Sequence, residues 1–471
     1  MSRVRKGLRV LLTGTLLSVV IGFGLVFWLL WTSAELGSAY SAKLLASGVF
    51  VENRTPESIR AQELGFIPRL HYAIDHENKT VTAWTAPRYK KTAVYREGLG
   101  VALALDGNID ALKRQARPGL VPDLSALAKE PWPMGDTPTG RPRPGGIDET
   151  RLTAAVDRMF EEPNSWYKRR TRAVLVVYND EIIAERYAEG FGPDQRFPAW
   201  SMSKSVLHAL YGIAVRQGKV RVKDPASVPL WRQDKSDARA AVTVDMLLRM
   251  SSGLKYNEFD FIPPMDLTTM LFLRPDAANY AAHAPLIHAP DTVWSYSSAT
   301  ANILSWILRQ AYGDDAYYGL PYQELFRKIG MRSAVIEADA SGTLVFSSFV
   351  FATARDYGRF GLLYMHDGVW QGERILPAGW VEYARTATPT APHHEYGAHW
   401  WLPSDRDRAK ASDRGLPLPD DLFFAQGFEG QNIFVIPSRK LVVVRLGLAY
   451  FAAAIPYDYV QDILGTLPKQ D

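Results

Sequence analysis

The hydrophobic pattern begins with an uncharged run from Val10 to Trp31, preceded by Arg3, Arg5, Lys6 and Arg9. At about 1.5 Å per residue the run measures roughly 33 Å, enough to cross the hydrocarbon core of a bilayer. The basic flank predicts a cytoplasmic N-terminus, with everything after Trp31 outside. Trp28 and Trp31 suit the far interface. A cleaved signal peptide is the alternative, with a loose cleavage site among Ala34, Ser38, Ala39 and Ala42.

Beyond this segment the period shortens. Ala42–Val49 reads as a short helix. The runs 70–74 and 80–84 alternate apolar and polar residues around a turn at Asp75–Lys79, which predicts a hairpin. Strand-like runs at 92–95 and 101–104 flank Gly98 and Gly100. A proline- and glycine-rich stretch, 131–146, reads as a linker. The chain thus divides into a basic tip and membrane anchor (1–39), a small β-rich accessory region with its linker (40–146), and a main domain (147–471). The simplest role for 40–130 is a spacer between membrane and main domain.

The main domain opens with an amphipathic helix over Ile147–Glu162 and two strands, 173–178 and 182–187, joined by Asn179-Asp180. A helix over 201–217 stops at Gly218. Helical patterns follow at 243–250, 297–312, 322–329, 353–365 and 377–385. Strands at 430–436 and 440–446 pair across Pro437-Ser438-Arg439, and a helix over 457–464 closes the chain. Strands at both ends with helices between them predict an α+β fold whose terminal segments share one antiparallel sheet.

Composition narrows the chemistry. The 471 residues carry 54 basic and 50 acidic side chains, a net charge of +4 too small to point to nucleic acid. There is no cysteine, which excludes disulfides, thiolate metal sites and a thiol nucleophile. No G-x-S-x-G and no phosphate-binding G-x-x-x-x-G-K-[ST] is present. His393, His394, Glu395 and His399 are the nearest approach to a metal set, but their aromatic, proline-flanked context reads as packing. No metal and no cofactor is expected.

A serine three residues before a lysine occurs at Ser165/Lys168, Ser201/Lys204 and Ser252/Lys255. Only Ser201 is followed by a helical apolar stripe: Val206, Leu207, Leu210, Tyr211, Ala214 and Val215. That context places Ser201 in a first helical turn, where free N–H groups favour negative charge, with Lys204 on the same face. Partial burial would let Lys204 accept a proton. The same residues also read as an N-cap serine and a solvated lysine. Tyr296, at another helix start, is placed to relay protons or simply to pack. Gly430 opens a strand where backbone could approach a substrate carbonyl, and the Gln431 N–H could join that of Ser201 as an oxyanion hole. Trp400-Trp401 reads equally as a cleft wall or as core.

In this order, Ser201-Met202-Ser203-Lys204, Val242 to Leu254, Trp294-Ser295-Tyr296-Ser297-Ser298, Ala352 to Gly361 and Gly427 to Val435 resemble the serine β-lactamase and penicillin-binding-protein superfamily. More narrowly they resemble its class C β-lactamase-related hydrolases, which include esterases and 6-aminohexanoate-dimer hydrolases. The resemblance spans about 150–465. It implies a β-lactamase/transpeptidase-like antiparallel sheet flanked by helices, with a helical subdomain. It also implies a Ser201 acyl-enzyme, Lys204 and Tyr296 as acid–base pair, and oxyanion donors at Ser201 and Gln431. Two positions depart from the lactamase pattern. Ser298 stands where that pattern has asparagine, and Phe428-Glu429-Gly430 replaces Lys-Thr-Gly. Loss of the strand lysine points away from true β-lactamase activity and towards a small ester or amide. The expected setting is a bacterial inner membrane with the catalytic domain in the periplasm, or secretion after signal cleavage. A non-catalytic penicillin-binding-like sensor or cell-wall binding protein is the alternative function.

Overall fold

In a computed structural model the described residues are 33–163, 168–258, 265–413, 415, 417–449 and 457–468. The span expected over Val10–Trp31 lies outside them, as does Ser165. Among the described residues no helix is long and apolar enough to cross a membrane.

Residues 33–50 are helical, well beyond the short helix expected at 42–49. Then β1 (His71–Asp75), β2 (Thr80–Trp84), β3 (Lys91–Arg96) and β4 (Gly100–Leu103) form an antiparallel meander. The expected hairpin is its first pair, with Ile74 opposite Val81. One face of this sheet packs on the 33–50 helix through Val81, Ala83, Ala93 and Val101 in a core shared with the rest of the chain. Glu337, fully buried, ties the parts together. It pairs with Lys43 and accepts from Ser47 Oγ (2.9 Å) and the Val101 N–H (3.1 Å). Such a buried pair is tolerated because the carboxylate's remaining acceptor capacity is filled.

The proline- and glycine-rich stretch is bound down rather than free. Trp132 is buried and donates to the Asp180 carbonyl at 2.8 Å. The Arg359 guanidinium donates to the Pro133 and Gly135 carbonyls and to Asp136. Proline and glycine remove regular structure from a segment, but they leave its carbonyls open to a buried guanidinium.

The main sheet is built from both ends of the remaining chain. β5 (Thr171–Tyr178) and β6 (Glu181–Tyr187) come early. A small sheet of β7 (Phe197–Pro198), β8 (Val335–Ile336) and β9 (Val350–Ala352) follows, in the order β7-β9-β8, together with a ribbon of β10 (Val369–Trp370) and β11 (Glu373–Arg374). β12 (Phe423–Gly427), β13 (Gln431–Ile436) and β14 (Leu441–Gly447) then complete the large antiparallel sheet, ordered β12-β13-β14-β5-β6. The terminal strands share one sheet, as the order of elements predicts. The pattern does not predict the short strands β7 to β11, and in the large sheet it does not predict β12, because the Phe-Phe-Ala-Gln-Gly run has no polar alternation.

Burial on both faces explains that run. Along β5, Ala173, Leu175 and Val177 enter one core while Val174 and Val176 enter another. The second core is closed by the Glu149–Arg158 and Tyr457–Leu464 helices through Leu152, Val156, Val460 and Ile463. The first is closed by the Ala354–Met365 helix, capped by Thr353 accepting from the Asp356 N–H at 3.2 Å. Gly358 and Gly361 let this helix touch the sheet: a Cβ at Gly361 would stand 2.5 Å from Val442. The helix expected over 322–329 is instead the Asp314–Leu320 helix running into a π-helical turn, Pro321–Phe326. Pro321 has no N–H to donate and its ring crowds the preceding turn, so the ladder widens there.

Gly361→Val should therefore cost about 1–3 kcal/mol through overpacking. A urea titration followed by tryptophan fluorescence should show the lower midpoint with an unchanged m-value.

Candidate active site

Ser201 does not lie inside the α-helix. It sits in a 3-10 turn, Trp200–Met202, and the helix proper runs Ser203–Arg216. The chain enters from β7 and must turn sharply, and Trp200 takes the strain at φ +47°. A left-handed conformation costs a bulky L-residue roughly 1–2 kcal/mol, and it persists only where surroundings enforce it. Here the Trp200 Nε1–H donates to Glu429 at 3.1 Å and its ring meets Phe428 edge-on at 5.6 Å. Glu429 is itself left-handed, at φ +62°.

The strand edge is pressed against this turn. A Cβ at Gly427 would stand 2.1 Å from the Ala199 carbonyl oxygen. Only glycine allows β12 to reach the residues before the nucleophile. Gly430 has a structural reason of its own to be glycine. Its φ is +80°, and a Cβ would meet the Arg445 guanidinium at 2.5 Å. Arg445 donates to the Glu429 and Gly430 carbonyls (3.1 and 2.7 Å), so the glycine accommodates a buried guanidinium under the strand end. Gln431 is buried, with its side chain bridging the Phe428 and Gly447 carbonyls (3.1 and 2.6 Å). Phe428 stands exposed at the rim.

Lys204 is the centre of the site. Its side chain is 1% exposed, and Nζ donates to Ser201 Oγ at 2.9 Å, Ser298 Oγ at 3.0 Å and the Ser347 carbonyl at 3.0 Å. Burial lowers its pKa to about 8, against the pull of Glu258. The Tyr296 phenol is hydrogen-bonded to Ser201, and Lys204 Nζ lies 5.0 Å from its ring centre. Burial and then the Glu258 carboxylate push the phenol well above its ordinary pKa, so it stays protonated at neutral pH. Tyr296 is positioned by its neighbours: the Ser295 N–H donates to the Met250 carbonyl at 2.9 Å, and Trp401 packs on the phenol ring at 5.1 Å. Trp401 thus walls the site, whereas Trp400 is core, against Tyr364 and Phe423.

The structure brings Ser201, Lys204, Tyr296 and Ser298 into direct contact and sets Phe428, Gly430 and Gln431 along the adjacent strand edge. Ser252 is buried in the loop beyond its helix and Lys255 is exposed, so that spacing forms no pair. His393 and His394 lie apart from His399. His394 Nδ1 is 2.9 Å from Asp405 at the surface, while buried His399 holds the Lys204 backbone carbonyl at 2.9 Å. Burial and then the Lys204 charge depress His399 to about 3, which keeps it neutral.

Sequence reading missed Glu258. It is buried and accepts from the Ser298 N–H (2.8 Å) and the Ser298 hydroxyl (2.6 Å). The only sequence signal was indirect: a serine in asparagine's place leaves a hydroxyl proton that needs an acceptor. The N-terminal region also reaches the site. A cavity beside Trp200 is lined by Lys43, Ser47, Glu52 and Arg54 on one side and by Phe349 and Glu429 on the other.

The family model for Beta-lactamase matches residues 156–447, more than half of the chain. The chain belongs to the beta-lactamase family. A 6-aminohexanoate-dimer hydrolase of Paenarthrobacter ureafaciens is 28% identical over 325 residues, 63% of this chain and 77% of that protein. Among solved structures, EstCE1, described as a hydrolase with promiscuous acyltransferase activity, has a TM-score of 0.53 at 16% identity. That match covers 68% of this chain and 97% of EstCE1. A class C beta-lactamase has a TM-score of 0.51 at 15% identity, covering 70% of this chain and 100% of its own. These structural matches show the fold: an α+β arrangement of antiparallel sheet and helices shared across the beta-lactamase family. With its named hydrolase relatives, the chain is a serine hydrolase of that family.

Only the neutral form of the Lys204 amine is able to accept a proton, and that form predominates above pH 8. Below that pH the protonated fraction grows and the rate should fall about tenfold per unit. Labelling of Ser201 by a fluorophosphonate, followed by intact mass, should rise with pH through a midpoint near 8. Lys204→Arg, charged at every accessible pH, should abolish that labelling with no pH recovery.

Proposed function

We propose that the protein hydrolyses an ester or amide through an acyl-enzyme on Ser201. One observation carries this reading: a buried lysine with its pKa brought down to about 8 stands 2.9 Å from the hydroxyl of a half-buried serine. The Ser201 Oγ–H proton passes to Lys204 as Oγ bonds to the substrate carbonyl carbon. The N–H groups of Ser201 and Gln431 stabilise the oxyanion. Tyr296, protonated and hydrogen-bonded to Ser201, donates towards the leaving alcohol or amine as Lys204 restores the proton. Water then releases the acyl group by the reverse path.

The strand edge argues about substrate. Phe428 and Glu429 offer no cation where a lactamase pattern has lysine. Arg445 sits beneath the strand, bonded to the Glu429 and Gly430 carbonyls. A substrate carboxylate therefore finds no built partner there, and an uncharged ester or amide fits better than a β-lactam. The relatives' names, a 6-aminohexanoate-dimer hydrolase and a hydrolase with promiscuous acyltransferase activity, support hydrolysis without a β-lactam. We read 147–471 as the hydrolase domain, held on the outer face of a bacterial inner membrane by the 10–31 segment. The pattern supporting the anchor is the uncharged run behind four basic residues.

Ser201→Ala should lower hydrolysis of a p-nitrophenyl ester at least about 10³-fold, with an unchanged melting temperature. A panel of short esters, anilides and penicillins should show turnover of the first two classes. Labelling of Ser201 without turnover of any member would replace the hydrolase reading by that of a sensor. Full activity in Ser201→Ala would remove both.

A further inference from the structure

A neutral primary amine has two N–H donors and one lone pair. To act on Ser201, both donors must be engaged elsewhere so that the lone pair faces the serine hydroxyl. The Ser347 carbonyl at 3.0 Å is an acceptor under all conditions. Ser298 Oγ, also at 3.0 Å, is not: a hydroxyl can donate or accept. If Ser298 donated its proton to Lys204, it would occupy the lone pair and disable the base.

Glu258 removes this ambiguity. Its two oxygens take the Ser298 N–H at 2.8 Å and the Ser298 hydroxyl proton at 2.6 Å. With that proton committed, Ser298 Oγ turns its lone pairs to Lys204. We propose that Glu258 is the positioning residue of this active site, fixing Ser298 as an acceptor and thereby aiming the Lys204 lone pair at the Ser201 hydroxyl. An asparagine at position 298 would offer a carbonyl oxygen, an acceptor by construction, where the Glu258–Ser298 pair has to fix a hydroxyl. During acylation the Oγ–H bond breaks, an N–H bond forms on Lys204 and Oγ bonds to carbon. Glu258 exchanges no proton with the substrate. The inference rests on the hydrolase reading above.

Electrostatics gives this role a signature. Lys204 is faced by Glu258, by the Tyr296 phenol and by His399, held neutral. Glu258 is faced by Lys204 and by the Tyr256, Tyr296 and Tyr396 phenols. Burial raises the Glu258 carboxyl while Lys204 and its Ser298 hydrogen bonds pull it back, and among the described residues Glu258 is the carboxylate that favours the ammonium form of Lys204.

In Glu258→Gln, the amide oxygen is drawn to the Ser298 N–H, and the amide nitrogen then donates to Ser298 Oγ. The Ser298 proton is turned back onto Lys204. Plateau kcat for a p-nitrophenyl ester should fall about 10²-fold with little change in KM. The acidic limb of the pH profile should move to lower pH, because the anion favouring the ammonium is gone. A merely structural loss would lower the rate without moving the limb. Glu258→Ala/Ser298→Asn, which supplies a carbonyl acceptor in the vacated space, should recover at least about tenfold over Glu258→Ala. The inference is overturned if Glu258→Gln keeps its plateau rate within about threefold or leaves the limb in place. It is equally overturned if the double variant recovers nothing over Glu258→Ala. In either case a dead Ser201→Ala leaves the hydrolase reading intact, whereas an active Ser201→Ala removes the reading beneath it.

Discussion

The burial of one amine governs this site. A lysine ammonium is strongly hydrated, and taking it out of water disfavours the charged form. Lys204 is withdrawn to 1% exposure and given three short hydrogen-bond partners in place of water. Each partner comes from a different part of the chain: the turn before its own helix, the start of the Ser298–Tyr312 helix, and the loop before β9. The arrangement can hold only if those parts are fixed to one another. Much of the fold serves that requirement. Gly361 lets a helix press on the sheet, Gly427 lets β12 press on the nucleophile turn, and His399 grips the backbone of the lysine itself.

The N-terminal region belongs to the same frame. Through Lys43, Ser47 and Val101 it closes on the buried carboxylate of Glu337, and Arg96 reaches the Ala338 and Asp339 carbonyls. Removing either side would leave an unpaired buried charge, which is costly. Residues read as a spacer therefore share a core with the catalytic part and wall a cavity next to Trp200. The strap at 131–136 is bound by the same logic, through Arg359.

Two strained residues lie beside the chemistry. Trp200 and Glu429 both have left-handed backbones, they hydrogen-bond to each other, and they lie on the two segments that frame Ser201. Each holds the other in a conformation that neither would adopt alone. Placing the serine in a 3-10 turn before the helix, rather than within it, follows from that contact.

Local physics made much of this legible in the sequence. Ser201 was separable from Ser165 and Ser252 because an apolar helical stripe follows it alone. The hairpins at 71–84 and 431–447, the helix at 457–464 and the sheet shared by both ends follow from periodicity and turn residues, which act over a few positions. Tyr296 and the Gly430–Gln431 edge were legible as candidates from their places at a helix start and a strand start, but only the resemblance tied them to Ser201, since no local rule links residues a hundred positions apart. Tertiary structure alone decided the rest. β12 carries no alternation because both its faces are buried. Gly430 is glycine on account of Arg445, which lies beneath it only once β13 and β14 pair. Glu258 sits in an irregular segment with no motif. Its meaning depends on a 2.6 Å contact with Ser298, a distance set by packing and not by spacing along the chain.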